Sequence, residues 1–129
     1  MEKETETSLY DKGLEVRKEV LGEGYVNKSI AGADAFTRSM AEWSTAYCWG
    51  ALWTRPGFDR RSRSIVNLAM ISALNRPHEL KLHVKAALKN GLTKEEITEI
   101  FLQVAVYAGV PAGIDSFRIA KSAFEELET

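Results

Sequence analysis

The apolar residues of this chain recur every three or four positions, and no stretch alternates apolar with polar as a half-buried β-strand does. That periodicity restricts the chain to packed helices, with glycine and proline marking where one helix stops and the next begins. Ser8 followed by Asp11 reads as a capping box, after which Tyr10, Leu14, Arg17 and Leu21 trace a first helix that ends at Gly22-Glu23-Gly24. A polar stretch, Tyr25 to Ala31, connects it to a second helix. There Phe36, Met40, Trp43 and Tyr47 set four large groups on one stripe, and Gly50 marks the stop. Ala51 to Phe58 reads as a loop, because Pro56 biases Arg55 away from helical geometry and Gly57 favours a turn.

Asp59 is placed to cap a third helix whose apolar run from Ile65 through Leu74 is nearly unbroken, so burial on most sides and a central position are expected. Asn75 to Pro77 interrupts it, and a fourth helix then runs from Pro77 to Lys89, stopped by Asn90-Gly91. Thr93 and Glu96 form a capping box for a fifth helix with Ile97, Ile100, Phe101, Val104 and Ala105 on its apolar face. Gly109-Val110-Pro111 precedes a last helix through Ile114, Phe117, Lys121 and Phe124. The expectation is an all-α bundle of about six helices in one domain over residues 1–129, with 1–7 a flexible tail. Short connections favour antiparallel neighbours.

A net charge of −1 gives no broad field for nucleic acid or an anionic membrane, so an anion site has to be local. The acidic, polar start lacks a secretory signal, and no stretch approaches the length of a membrane span. With Cys48 as the one cysteine, neither an internal disulfide nor a Cys-x-x-Cys pair is possible, which fits a reducing cytoplasm.

Two constellations carry chemistry. Arg55 lies in the Pro-Gly loop, and Arg60, Arg61 and Arg63 crowd the start of the third helix, where cations oppose the helix dipole. Such a cluster either binds a carboxylate or phosphate through its forks or makes ion pairs with some of the eighteen acidic residues. Glu79 and His83 stand one helical turn apart, where a carboxylate can fix the imidazole tautomer and raise its basicity for acid-base work; the alternative is a helix-surface contact. His78 turns away from His83, so no two-histidine metal site is expected. Cys48, Trp43, Trp49 and Trp53 gather around the end of the second helix and suit a core or a subunit interface, with Cys48 a buried structural thiol. Aromatics at this density favour an oligomer. Glu42 is either a solvated face residue or a partner for the arginines.

The segments Gly13-Leu14-Glu15-Val16-Arg17, Trp49 through Gly57, Arg63-Ser64, Glu79-Leu80-Lys81-Leu82-His83 and Ala105 through Ala112 together resemble the carboxymuconolactone decarboxylase family of the alkyl hydroperoxidase D-like proteins. The resemblance covers nearly the whole chain. It implies the alkyl hydroperoxidase D type of helical fold, a homohexameric ring, and decarboxylation of a dicarboxylate lactone in protocatechuate breakdown without cofactor or metal. Relatives with thiol-peroxidase chemistry carry Cys-x-x-Cys a turn before a histidine. Here His83 matches that histidine, while Arg76 and Glu79 stand where the cysteines would be. On this reading His83 and Glu79 are the catalytic pair, with Arg55, Arg60, Arg63, Glu42, Trp49 and Trp53 as substrate-binding residues. The rival readings are a lactone isomerase or hydrolase, and a non-catalytic oligomeric binding protein.

Overall fold

The computed structural model describes residues 5–129, and among these every regular element is helical. Residues 1–4 of the expected tail lie outside the described residues. Backbone packing divides the chain into two compact units, Met1–Gly57 and Phe58–Thr129.

In the first unit, α1 spans Glu6–Leu21 and α2 spans Glu23–Ala31. The cap of α1 is Thr5, whose hydroxyl accepts from the Ser8 N–H at 3.1 Å, and not the expected box at Ser8 and Asp11. Glu6 and Thr7 lie in the first turn of this helix. Gly22 turns the chain at φ 97°, a conformation that costs glycine little, and its N–H closes on the Lys18 carbonyl at 2.9 Å. The polar stretch expected to be a connection is α2. Its polarity misled because only one residue, Val26, is fully buried, so there is little apolar periodicity to read.

The second expected helix is also different. A short α3, Arg38–Ser44, passes into a π-helical segment, Thr45–Leu52, that runs straight through Gly50 and closes with the Trp53 N–H on the Cys48 carbonyl, five residues back. Gly50 is no stop signal; it is a contact. A Cβ added there would collide with the Leu9 backbone, and one added at Gly13 would collide with the Thr45 carbonyl. The two glycines let α1 and the π-helical segment lie backbone against backbone. The four large groups read as one stripe, Phe36 (90% exposed), Met40, Trp43 (57%) and Tyr47, are all exposed.

In the second unit α4 spans Arg60–Ala73, α5 Pro77–Lys89, α6 Lys94–Ala108 and α7 Val110–Leu127. Seven α-helices, counting the described residues, replace the six expected. Asp59 caps α4 as the sequence indicates, accepting from the Ser62 N–H at 2.7 Å, and Thr93 and Glu96 close both arms of their capping box. The core joins Leu68, Leu80, Val84, Ala87, Leu92, Ile97, Phe101, Ala120 and Ala123. The expectation that α4 is buried on most sides fails: Ser64, Leu68 and Ser72 are its buried stripe, while Val66, Met70 and Leu74 are exposed. Its apolar run serves two faces, one inside the core and one open. No helix among the described residues is long and apolar enough to cross a membrane.

Candidate active site

The sequence-derived site residues divide between the two units. In the first, Trp49 and Trp53 are buried and stack at 4.9 Å between ring centroids. One turn of the π-helical segment separates them in sequence, which is what brings the rings face to face. Arg55 follows in the exposed turn, where its N–H closes on the Leu52 carbonyl at 3.0 Å. Glu42 lies on the exposed side of α3. Cys48 is half-buried; burial pushes its thiol up and Arg17 partly opposes that, so the thiolate is the minor form at neutral pH.

In the second unit the arginines open α4. Arg60 is exposed, Arg61 pairs with Glu96, and Arg63 is half-buried with its guanidinium 5.8 Å from the centroid of the Phe58 ring. The cluster is thus not uniform. Arg61 has a carboxylate of its own, and the planar group of Arg63 is held on an aromatic face.

Glu79 and His83 share α5, one turn apart, with Glu79 in the first turn and exposed, and His83 facing inward at 7% exposure. The carboxylate therefore complements the positive end of the helix dipole, whatever else it does. Burial pushes the His83 imidazole down from 6.5 to about 4, because a charged ring is poorly solvated there. A carboxylate acting strongly on the ring would move it the other way. At pH 7 His83 is neutral, a state that holds one proton and one lone pair.

The residue that sequence reading passed over is Arg17. It was counted as one step of an apolar stripe, yet it is buried, and its guanidinium donates to Thr45 Oγ1 and Ser29 Oγ, both at 3.2 Å. An arginine at an inward position of a helix was the available signal. Among the described residues no group of three His, Cys, Asp or Glu side chains is arranged to hold a metal ion.

The model of the carboxymuconolactone decarboxylase family matches residues 38–122. The chain is 41% identical over 118 residues to the 4-carboxymuconolactone decarboxylase of Acinetobacter baylyi, covering 92% of this chain and 88% of that one. It is 40% identical over 119 residues to the nitrosuccinic acid decarboxylase of Metarhizium robertsii, covering 92% and 83%. An uncharacterised 15.0 kDa protein of Paracoccus denitrificans is 33% identical over 81 residues, 60% of each chain.

Proposed function

The chain belongs to the carboxymuconolactone decarboxylase family, and on that premise we propose that it is a carboxy-lyase acting on 4-carboxymuconolactone, releasing the enol-lactone of β-ketoadipate in protocatechuate catabolism. The observation that carries this reading is near-full-length similarity to two decarboxylases. The family match crosses from one compact unit into the other, which supports treating residues 1–129 as one functional domain. The single thiol, Cys48, fits the reducing cytoplasm in which such catabolism runs.

The two named substrates share a chemical logic. In 4-carboxymuconolactone the departing carboxylate leaves two electrons that flow through the ring double bond into the lactone carbonyl. In nitrosuccinate they flow into the nitro group. Each substrate carries its own electron sink and keeps a second carboxylate after carbon dioxide has left. The protein must hold that carboxylate, stabilise the developing oxyanion, and protonate carbon. Arginine forks suit the first task, and Arg55 is the leading candidate, with Arg60 or Arg63 next. The stacked Trp49 and Trp53 supply an apolar wall that favours neutral carbon dioxide over the carboxylate.

His83, positioned by Glu79, delivers the proton. Because the ring is neutral in the free protein, the negative charge of the bound substrate has to raise its basicity before it can act as an acid. The sign of the pH dependence follows. Above about 4 the protonated fraction in the free enzyme falls as pH rises, so kcat/KM should climb as pH is lowered from neutrality, and kcat should change less. A flat kcat/KM profile removes His83 as the donor.

The direct test supplies 4-carboxymuconolactone and, separately, nitrosuccinate to the purified protein and follows carbon dioxide. His83→Ala should lower kcat by about 10²–10⁴ in a protein of unchanged circular dichroism. Turnover of nitrosuccinate alone would redirect the assignment to a nitro acid, and turnover of neither would end the decarboxylase reading for these substrates.

A further inference from the structure

Arg17 stands on the inward side of α1 at 9% exposure, a place where helices put leucine or methionine. Its hydrogen-bond partners among the described residues are two neutral hydroxyls, Thr45 Oγ1 and Ser29 Oγ. Thr45 in turn donates to the Ala41 carbonyl at 2.7 Å, so the arginine meets that hydroxyl on a lone pair. Hydroxyls satisfy the N–H groups without neutralising the charge, and a guanidinium removed from water recovers its lost solvation only against an anion. The arrangement orients a fork and leaves its charge unspent.

Beside the fork lies a cavity of about 90 Å³, lined by Tyr10, Arg17, Ile30, Arg38, Glu42 and Thr45 with two alanines. It has room for several waters or for one small anionic group. Arg38 adds a second positive charge to the lining, and Glu42 subtracts one; both are exposed and free to turn toward solvent, whereas Arg17 is not. The fixed charge facing the cavity is therefore positive, and the net charge of the lining suits a monoanion better than a phosphate dianion.

We propose that this cavity is an anion site that receives the carboxylate group of a small organic acid, with Arg17 as the buried fork and Arg38 as the outer cation. Planar carboxylate oxygens match the parallel N–H groups of a guanidinium, which a tetrahedral anion does less well at this size. Its lining includes none of the arginines of the Pro-Gly loop and α4, and the site does not require that the protein turn over any substrate.

The test uses intact protein and unreactive acids. Isothermal titration with acetate and with succinate, in low-chloride buffer, should give saturable binding that weakens as salt is added. Arg17→Lys, which keeps the charge and the stem but loses the fork, should weaken binding about tenfold or more. Arg38→Gln, at an exposed position that the fold does not depend on, should weaken it about three- to tenfold. Cys48 gives an independent readout: Arg17 draws its thiol toward ionisation, so an anion seated on Arg17 should slow alkylation of Cys48 by iodoacetamide in wild type but not in Arg17→Lys. Competitive inhibition of decarboxylation by succinate identifies the group as the substrate's own carboxylate; noncompetitive inhibition identifies a separate acid. Failure of decarboxylation leaves the titration and alkylation results standing. The proposal is overturned if neither acid saturates the protein in the millimolar range, or if wild type, Arg17→Lys and Arg38→Gln bind alike.

Discussion

The two compact units are both helical but are built on different physics. Phe58–Thr129 has a continuous apolar core, four long α-helices and side-chain caps where sequence places them. Met1–Gly57 buries few large apolar groups. Its packing rests on two glycines that bring α1 against a π-helical segment, on a stacked tryptophan pair, and on a buried arginine held by hydroxyls. One unit is stabilised mostly by side-chain burial, which is roughly additive over area. The other depends on backbone proximity, which a single methyl group can destroy.

The sharpest way to break that comparison is Gly13→Ala. The added carbon meets the Thr45 carbonyl and the Gly50 N–H, and neither is the flexible end of a side chain, so α1 and the π-helical segment must separate. The expected cost is about 4–5 kcal/mol, at the extreme of single substitutions. Hydrogen exchange should show lost protection across α1 and Thr45–Leu52 first. Gly24→Ala is the control: nothing lies within 4 Å of the new carbon inside α2, and a gain of about 0.5–1 kcal/mol is expected. Equal behaviour of the two variants would show that close backbone contact does not hold the first unit. The counterpart in the second unit is Phe101→Ala, which empties the centre of its core and should cost about 3–5 kcal/mol, seen first as lost protection in α4 through α7.

A smaller effect, near 3 kcal/mol at most, belongs to His83. Its folded-state pKa of about 4 lies below the 6.5 of an unfolded imidazole, so between those values the unfolded chain binds more protons. Stability is then intact above pH 6.5 and falls as pH drops toward 4, by roughly 1.4 kcal/mol per unit once below 6.5. Urea midpoints of wild type should decline through this window, and those of His83→Gln should decline much less. Parallel curves for the two proteins would mean that the ring is solvated and that its burial is not what suppresses its charge.

How much of this was legible follows the same division. In the second unit, Asp59, Pro77, Thr93 and Gly109 announce helix ends by local chemistry, and the capping box at Thr93 is formed as read. Periodicity failed in α4 because apolar residues there serve a core and an open face together, and no rule of spacing separates the two. In the first unit the signals were inverted. Gly50 looks like a terminator but is an interhelical contact, and Arg17 looks like a lapse in a stripe but is a buried charge. The π-helical turn has no sequence signature, because its cause is the partner helix and not its own residues. For the candidate site, the one-turn spacing of Glu79 and His83 was readable, whereas the neutrality of His83 comes from tertiary burial that spacing does not encode.

The smallest expected change in protomer stability concerns Phe36, Met40, Trp43 and Tyr47, read from sequence as one stripe of a helix and exposed in the structure, with Trp43 and Tyr47 only 5.1 Å apart between centroids. Contiguous aromatic surface of this kind is uncommon on a protein that stays monomeric, and a second copy of the chain would reconcile the apolar pattern with its exposure. The homohexameric ring that the family resemblance implies would give the stripe that role. Met40→Ser with Trp43→Ser removes two of the four groups without touching a buried contact, so circular dichroism should be unchanged and the unfolding free energy of the dissociated chain should move by about 0.5 kcal/mol or less. The assembly should respond far more, because a handful of buried aromatics supplies most of the energy of an interface. Light scattering at micromolar concentration should therefore give a multiple of one chain's mass for wild type and a value shifted toward a single chain for the double variant. If wild type already has the mass of one chain, the stripe is ordinary monomer surface, the hexamer is wrong, and the first unit is left with even less apolar burial than its partner in sequence.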